Sequence, residues 1–160
     1  MKKILLSILV ISSFAFAENI EIHGTSTFHD WKMVSNETSV IFESGDNQIT
    51  KLEVSALVES LKSGDTGLDK KAYEAMKTKV NPNISFVLES ADLEKGTLTG
   101  VFKILETEEK VTIKPEILTT THVAGNFTTK MTTYGVIPPS VLFVKSGDEI
   151  VVKYDIKKPE

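Results

Sequence analysis

The chain has 160 residues, no cysteine and a formal charge of −4, and 41% of it is apolar. That size suits one domain with a core of its own, and the missing cysteines exclude both a disulfide framework and a thiolate metal site. All 18 basic residues are lysine; without the guanidinium fork that grips phosphate or guanine bidentately, nucleic acid is not expected as a partner.

The first residues read as an export leader. Lys2 and Lys3 precede an apolar run from Ile4 to Phe14, and Ala15-Phe16-Ala17 has the small-x-small pattern of a cleavage site. Residues 1 to 17 are therefore expected to be a signal peptide, leaving a domain over residues 18–160 in the periplasm, or outside the cell where the host has no outer membrane. Removing them takes two lysines and no acid, which leaves 143 residues at −6. The run is shorter than the roughly 20 residues a spanning helix needs, and no later stretch is long and apolar enough, so stable membrane insertion is not expected. Glu18 and Asn19 stand where a lipidated cysteine would be, so no lipid anchor is expected.

Beyond the leader, alternation with period two recurs, the mark of strands with one buried face. Ile20 with Ile22, then Phe28 to Met33, then Val40 with Phe42 give short versions. Leu52, Val54, Ala56 and Val58 alternate with polar neighbours apart from Leu57. The pattern returns in Ile84, Phe86, Leu88; in Leu98, Gly100, Phe102, Ile104; in Val111, Ile113, Ile117; in Val123, Phe127, Met131; and in Ile150, Val152, Tyr154, Ile156. Turn chemistry falls between the runs at Ser44-Gly45-Asp46-Asn47, Glu94-Lys95-Gly96, Tyr134-Gly135, Pro138-Pro139 and Ser146-Gly147-Asp148.

One segment departs from this rhythm. Leu68, Ala72, Tyr73 and Met76 fall at helical spacing, with capping residue types from Ser63 to Thr66 before them and Pro82 after. Such a short helix can cover one opening of a barrel or pack on its outside. About eight strands without repeated strand–helix alternation predict an all-β fold, a sandwich or an up-and-down barrel; closure would remove exposed edges.

No constellation for catalysis stands out. His23, His29 and His122 are the only histidines, and the first two lie six residues apart, which is not a ligand spacing on a strand or a helix. Neighbours on an extended chain point to opposite faces, so Asp30 is badly placed to orient His29 toward Ser26, and no GxSxG elbow is present. No catalytic residue, metal or cofactor is expected. The Asp30 side chain is expected to serve a turn, and Trp31, the single tryptophan, to anchor the core.

Several stretches together resemble the YceI-like family of periplasmic, lipocalin-like proteins: GTSTFHDWKM (Gly24 to Met33), LKSGDTGLDKKAYEAMKTKVNPNISFVLES (Leu61 to Ser90), GTLTGVFK (Gly96 to Lys103) and MTTYGVIPPSVLFVKSGDEIVVKYDI (Met131 to Ile156). The His29-Asp30-Trp31 segment looks like that of a subgroup with a different first hairpin. The resemblance implies an eight-stranded antiparallel lipocalin-like barrel with one short helix over an end. It also implies a long apolar channel that in some members holds a polyisoprenoid, and no enzymatic activity.

Strand parity independently turns Val54, Val58, Phe86, Leu88, Phe102, Ile104, Phe127 and Met131 inward, with Tyr134 near a mouth where its hydroxyl stays wet; these nine are the expected ligand-binding residues. The leading expectation is a non-enzymatic binding protein for an apolar lipid, a polyisoprenoid or isoprenoid quinone. Its rivals are a stress-related or structural interaction module with a filled barrel, and an enzyme using His29. The oligomeric state, homodimer included, is left open.

Overall fold

In the computed structural model, residues 15, 16, 19–141 and 143–160 are described, so most of the expected leader, residues 1 to 17, lies outside them. The elements run β1 (Ala15–Phe16), β2 (Asn19–Ser26), β3 (Asp30–Ser35), β4 (Thr38–Ser44) and β5 (Ile49–Leu57), then a 3-10 turn (Val58–Ser60) and α1 (Thr66–Ala75). They continue as β6 (Asn83–Asp92), β7 (Thr97–Ile104), β8 (Thr107–Ile113), β9 (Ile117–Leu118), β10 (His122–Lys130), a second 3-10 turn (Met131–Tyr134), β11 (Ser140–Val141) and β12 (Val144–Lys157).

All ladders are antiparallel. One sheet has the order β1-β4-β5-β6-β7-β8 and the other β3-β2-β12-β10-β9, with β11 paired to β12. The fold is all-β with two sheets and one helix, and the expected closed eight-stranded barrel is not what the backbone forms. Nine strands among the described residues have six or more residues, and no ladder joins β3 to β4 or β8 to β10.

Each seam has a local cause. Between β3 and β4 only Asn36 and Glu37 intervene, and the chain changes sheets there. Three buried hydroxyls stitch that corner: Ser35 Oγ lies 2.8 Å from Ser60 Oγ, Thr38 donates to Ser35 Oγ at 3.1 Å, and Ser60 donates to Leu57 O at 2.7 Å. A lone bridge pairs Val34 with Lys62 across the gap. At the other seam Pro115, which has no N–H to give a ladder, interrupts the expected run from Val111 to Ile117. Ile113 ends β8 in one sheet, and Ile117 starts β9 in the other.

Ile117, expected on the inner face with Val111 and Ile113, is 41% exposed; strand parity holds in the longer strands. Leu52, Val54, Ala56 and Val58 are all buried, as are Leu98, Phe102 and Ile104 on β7 and Ile150, Val152, Tyr154 and Ile156 on β12. The expected turn at Ser146-Gly147-Asp148 is instead a bulge inside β12, where the register against β2 shifts between Ser146 and Ile150. The helix starts where capping chemistry indicates, because Asp65 accepts from the amides of Gly67 (2.8 Å) and Leu68 (3.1 Å).

Two apolar clusters fill the space between the sheets. One, under α1, includes Met33, Val58, Leu61, Ile84, Phe102, Ile104, Met131 and Tyr134. The other, at the far end, includes Ile20, Phe42, Leu52, Val54, Leu98, Val123 and Tyr154. Phe86, Val111 and Phe127 pack against both and so lie at their junction.

Candidate functional site

The enclosed space lies in the cluster under α1. It is an apolar cavity of about 70 Å3. One wall comes from Ile22, Met33 and Ile150, the other from Val58, Ile84 and Ile104; Leu68, Ala72 and Ala75 of α1, with Met76 at its C-cap, form the roof. The rim carries Trp31, Met131, Val136, Pro139 and Ser146. Four of the lining residues, Trp31, Leu68, Pro139 and Ser146, also line an open groove with His29, Asp30, Lys32, Asp65 and Lys71, so the cavity meets solvent there.

Hydrogen bonds fix the roof at both ends. Asp69, buried near the start of α1, accepts from Ser63 N at 2.9 Å and Ser63 Oγ at 2.7 Å. Tyr73 donates to Leu61 O at 2.6 Å and receives a bond from Lys62 Nζ at 2.9 Å. Beyond the helix Thr78 donates to Glu59 Oε1 at 2.8 Å. The rim is fixed by Trp31, which donates to Thr25 O at 3.0 Å while its ring covers Gly24; a Cβ at Gly24 would collide with that ring.

Aromatic rings make the floor. Phe102 meets Phe127 edge-on at 5.1 Å between centroids and Tyr134 at 5.4 Å, and Phe127 tilts against Tyr154 at 6.5 Å. Below this layer the far cluster continues as packed core.

Of the nine expected ligand residues, Val58, Ile104 and Met131 line the cavity. Phe102, Phe127 and Tyr134 belong to the floor, with Phe86 at the cluster junction, and Val54 and Leu88 pack in the far cluster. Tyr134 is not at a wet mouth. The second 3-10 turn carries it inward to 1% exposure, and neither its hydroxyl nor that of Tyr154 has a hydrogen-bond partner among the described residues. Burial raises the Tyr134 phenol pKa above its usual value and pushes that of Tyr154 up to about 12.

The roof and Trp31 were not singled out as lining residues by sequence reasoning. A glycine inside a strand is a signal of close approach, and Gly24 pairs directly with Trp31 in the β2–β3 ladder. Asp30 does not serve the turn as expected: Ser26 closes it, with Ser26 N donating to His29 O at 3.0 Å and its hydroxyl donating to the same oxygen at 2.6 Å. The histidines lie apart in role. His23 Nε2 is 2.7 Å from Glu21, His122 Nε2 is 2.8 Å from Asp155, and exposed His29 turns Nδ1 to Asp30 O at 3.0 Å. No group of three or more metal-ligating side chains occurs among the described residues.

Solved structures of the same architecture exist. Burkholderia cenocepacia BcnA superposes with a TM-score of 0.67 at 17% identity, over 85% of this chain and 94% of that one. The Campylobacter jejuni YCEI protein gives 0.65 at 13% identity, over all of both chains. A polyisoprenoid binding domain from Saccharophagus degradans, implicated in plant cell wall breakdown, gives 0.66 at 10% identity, over 92% of this chain and all of that one. Among curated proteins no sequence matches. The YceI-like domain model matches residues 12–158, nearly the whole chain, and the protein belongs to the YceI-like family.

Proposed function

We propose that this protein is a non-enzymatic binding protein for an apolar lipid of the isoprenoid class, a polyisoprenoid or an isoprenoid quinone, which it holds under α1 after export to the periplasm. The observation that carries the reading is the composition of the cavity wall. Apart from the rim residues Trp31 and Ser146, every lining side chain is hydrocarbon or thioether, a surface that gains from covering hydrocarbon and offers no reacting group. The family and the name of the Saccharophagus degradans domain support the ligand class, and the leader supports the compartment.

Size is the difficulty, and the residue types answer it. An apolar cavity of about 150 Å3 takes up benzene, so about 70 Å3 holds only a few carbons until the walls move. Met33, Met76 and Met131 line it, and they are all the methionines of the chain after Met1. Unbranched thioether side chains repack with little strain and fill irregular shapes, so a wall built from them can swell around a chain. Each methylene then buried contributes about 0.8 kcal/mol.

The same small volume favours a second reading, an interaction module whose interior is filled by its own side chains. Organic extraction of the natively exported protein, followed by mass spectrometry, separates the two. The lipid reading expects an isoprenoid in equimolar amount. Folded protein that yields no lipid, and takes none up when offered polyprenol or quinone, would overturn it.

A further inference from the structure

Three large apolar side chains stand in solvent around the end of the molecule at which the cavity opens: Phe28 is 72% exposed, Ile137 81% and Phe143 86%. Their positions follow from the backbone. Phe28 is at the tip of the β2–β3 hairpin, between Ser26 and His29, both of which line the groove at the mouth. The neighbouring hairpin, between β11 and β12, carries Phe143 and is tied to the first, because Thr27 N donates to Lys145 O at 3.0 Å and Lys145 N to Thr27 Oγ1 at 2.9 Å. Ile137 lies between Val136 and Pro139, which line the cavity, and faces outward.

Charge follows the same geography. From Lys62 to Val80, the segment containing the roof helix, five lysines stand against three acidic residues, a local +2 in a chain of −4. Among the described residues Lys32, Lys70, Lys71, Lys77, Lys79 and Lys145 form no ion pair. Of these, Lys32 and Lys71 line the groove at the mouth together with Asp30 and Asp65, Lys145 is bonded to Thr27 beside Phe28, and Lys70, Lys77 and Lys79 line a second groove along α1. Exposed aromatic tips with unpaired lysines near them match an anionic lipid interface, where rings enter the headgroup layer and ammonium groups meet phosphate.

We propose that this end of the protein docks reversibly on an anionic lipid bilayer, with Phe28, Ile137 and Phe143 entering the interface and the α1 lysines drawn to the headgroups. The mouth of the cavity then faces the membrane, and an apolar ligand passes between bilayer and cavity without crossing water. That use of the docking rests on the lipid-binding reading, whereas the docking itself does not.

The test is flotation of purified protein with vesicles of mixed phosphatidylglycerol and phosphatidylcholine, and with phosphatidylcholine vesicles alone. The wild type is expected to float with the anionic vesicles and to be released by high salt. The triple variant Phe28→Ser, Ile137→Ser, Phe143→Ser should partition at least about tenfold less, with an unchanged unfolding midpoint because all three side chains are exposed. Trp31, the only tryptophan and a rim residue, should be quenched by brominated lipid in the wild type and not in the variant. The proposal fails if the wild type remains in the buffer, if variant and wild type partition alike, or if the variant instead splits a wild-type dimer in sedimentation equilibrium. Protein that docks but yields no lipid on extraction sinks the cargo reading and leaves docking standing; protein that yields lipid but never floats does the reverse.

Discussion

Filling the cavity from its roof tests stability and function together. Ala72 lines the cavity from the middle of α1 and is half-buried. Leucine is almost as good a helix former as alanine, so Ala72→Leu leaves the helix itself nearly unaffected and adds three carbons over the cavity. Cavity volume costs about 24 cal/mol per Å3, so eliminating 70 Å3 is worth about 1.7 kcal/mol. Burial of three carbons at about 0.8 kcal/mol each sets an upper bound of about 2.4 kcal/mol, and imperfect fit subtracts from it. The ligand-free variant is therefore expected to gain about 1–2 kcal/mol, which in a domain of this size raises the midpoint by roughly 3–6 °C. The natively exported variant is expected to lose its extractable lipid. Urea unfolding of delipidated protein and mass spectrometry of the extract measure the two effects. A variant that is less stable than the wild type and still carries lipid refutes the reasoning, because the space under α1 would then be neither free nor the ligand site.

The two orphaned phenols give two further expectations. Tyr154 has its pKa raised by burial from about 10 to about 12, so its contribution to stability is complete below pH 10 and is lost as pH rises from 10 to 12. That contribution is about 2–3 kcal/mol at most, and alkaline unfolding curves should show Tyr154→Phe losing that much less than the wild type; parallel curves would count against it. Tyr134→Phe removes a buried hydroxyl that has no partner among the described residues while keeping the edge contact with Phe102. It should stabilise the protein by about 1–3 kcal/mol in chemical denaturation, and a loss would reveal a bond to the hydroxyl. Asp65→Ala deletes the cap of the roof helix and should cost about 0.5–2 kcal/mol. Hydrogen exchange should quicken first at Gly67 and Leu68; unchanged exchange there would mean that the cap does not hold the roof.

Period-two alternation made the inward faces legible because side-chain direction on a strand is fixed by parity alone. Val54, Phe102 and Ile104 are buried for that reason, and Val58 and Met131, each the first residue of a 3-10 turn, are buried where the preceding strand's alternation continues into the turn. Parity does not report depth, so Val54 and Val58, two turns of the pleat apart on one face, end in different clusters. Nor does it report whether opposing rings meet. Phe102 and Phe127 stand on different sheets, and the edge-on contact that turns a presumed channel into a floor is a property of the assembled pair. Closure was illegible for a related reason: alternation continues across Pro115, although its missing N–H marks the place where the ladder stops and the sheet changes. The roof helix was read from its spacing and caps, but its covering role depends on a bond from Ser63 to Asp69 and on bonds from Tyr73 to Leu61 O and from Thr78 to Glu59, partners that no local pattern announces.

These features divide the interior into stiff and soft parts. Roof and rim are held by hydrogen bonds at Asp69, Tyr73, Thr78 and Trp31, whose donors and acceptors would be left unpaired by large movements. The soft parts are the methionine side chains, one in each region of the lining: Met33 in a wall, Met76 in the roof and Met131 at the rim. On the lipid reading, a tail is therefore first accommodated by repacking of these side chains, before it deepens the cavity. To go deeper it must part the edge contacts of Phe102 with Phe127 and Tyr134, together worth about 1–3 kcal/mol. At about 0.8 kcal/mol per methylene, two to four more buried carbons offset that loss. Affinity should accordingly climb with tail length, stall when the tail meets the rings and climb again once it is long enough to displace them, so length selectivity in this protein is set by an aromatic threshold and not by the volume of a preformed channel.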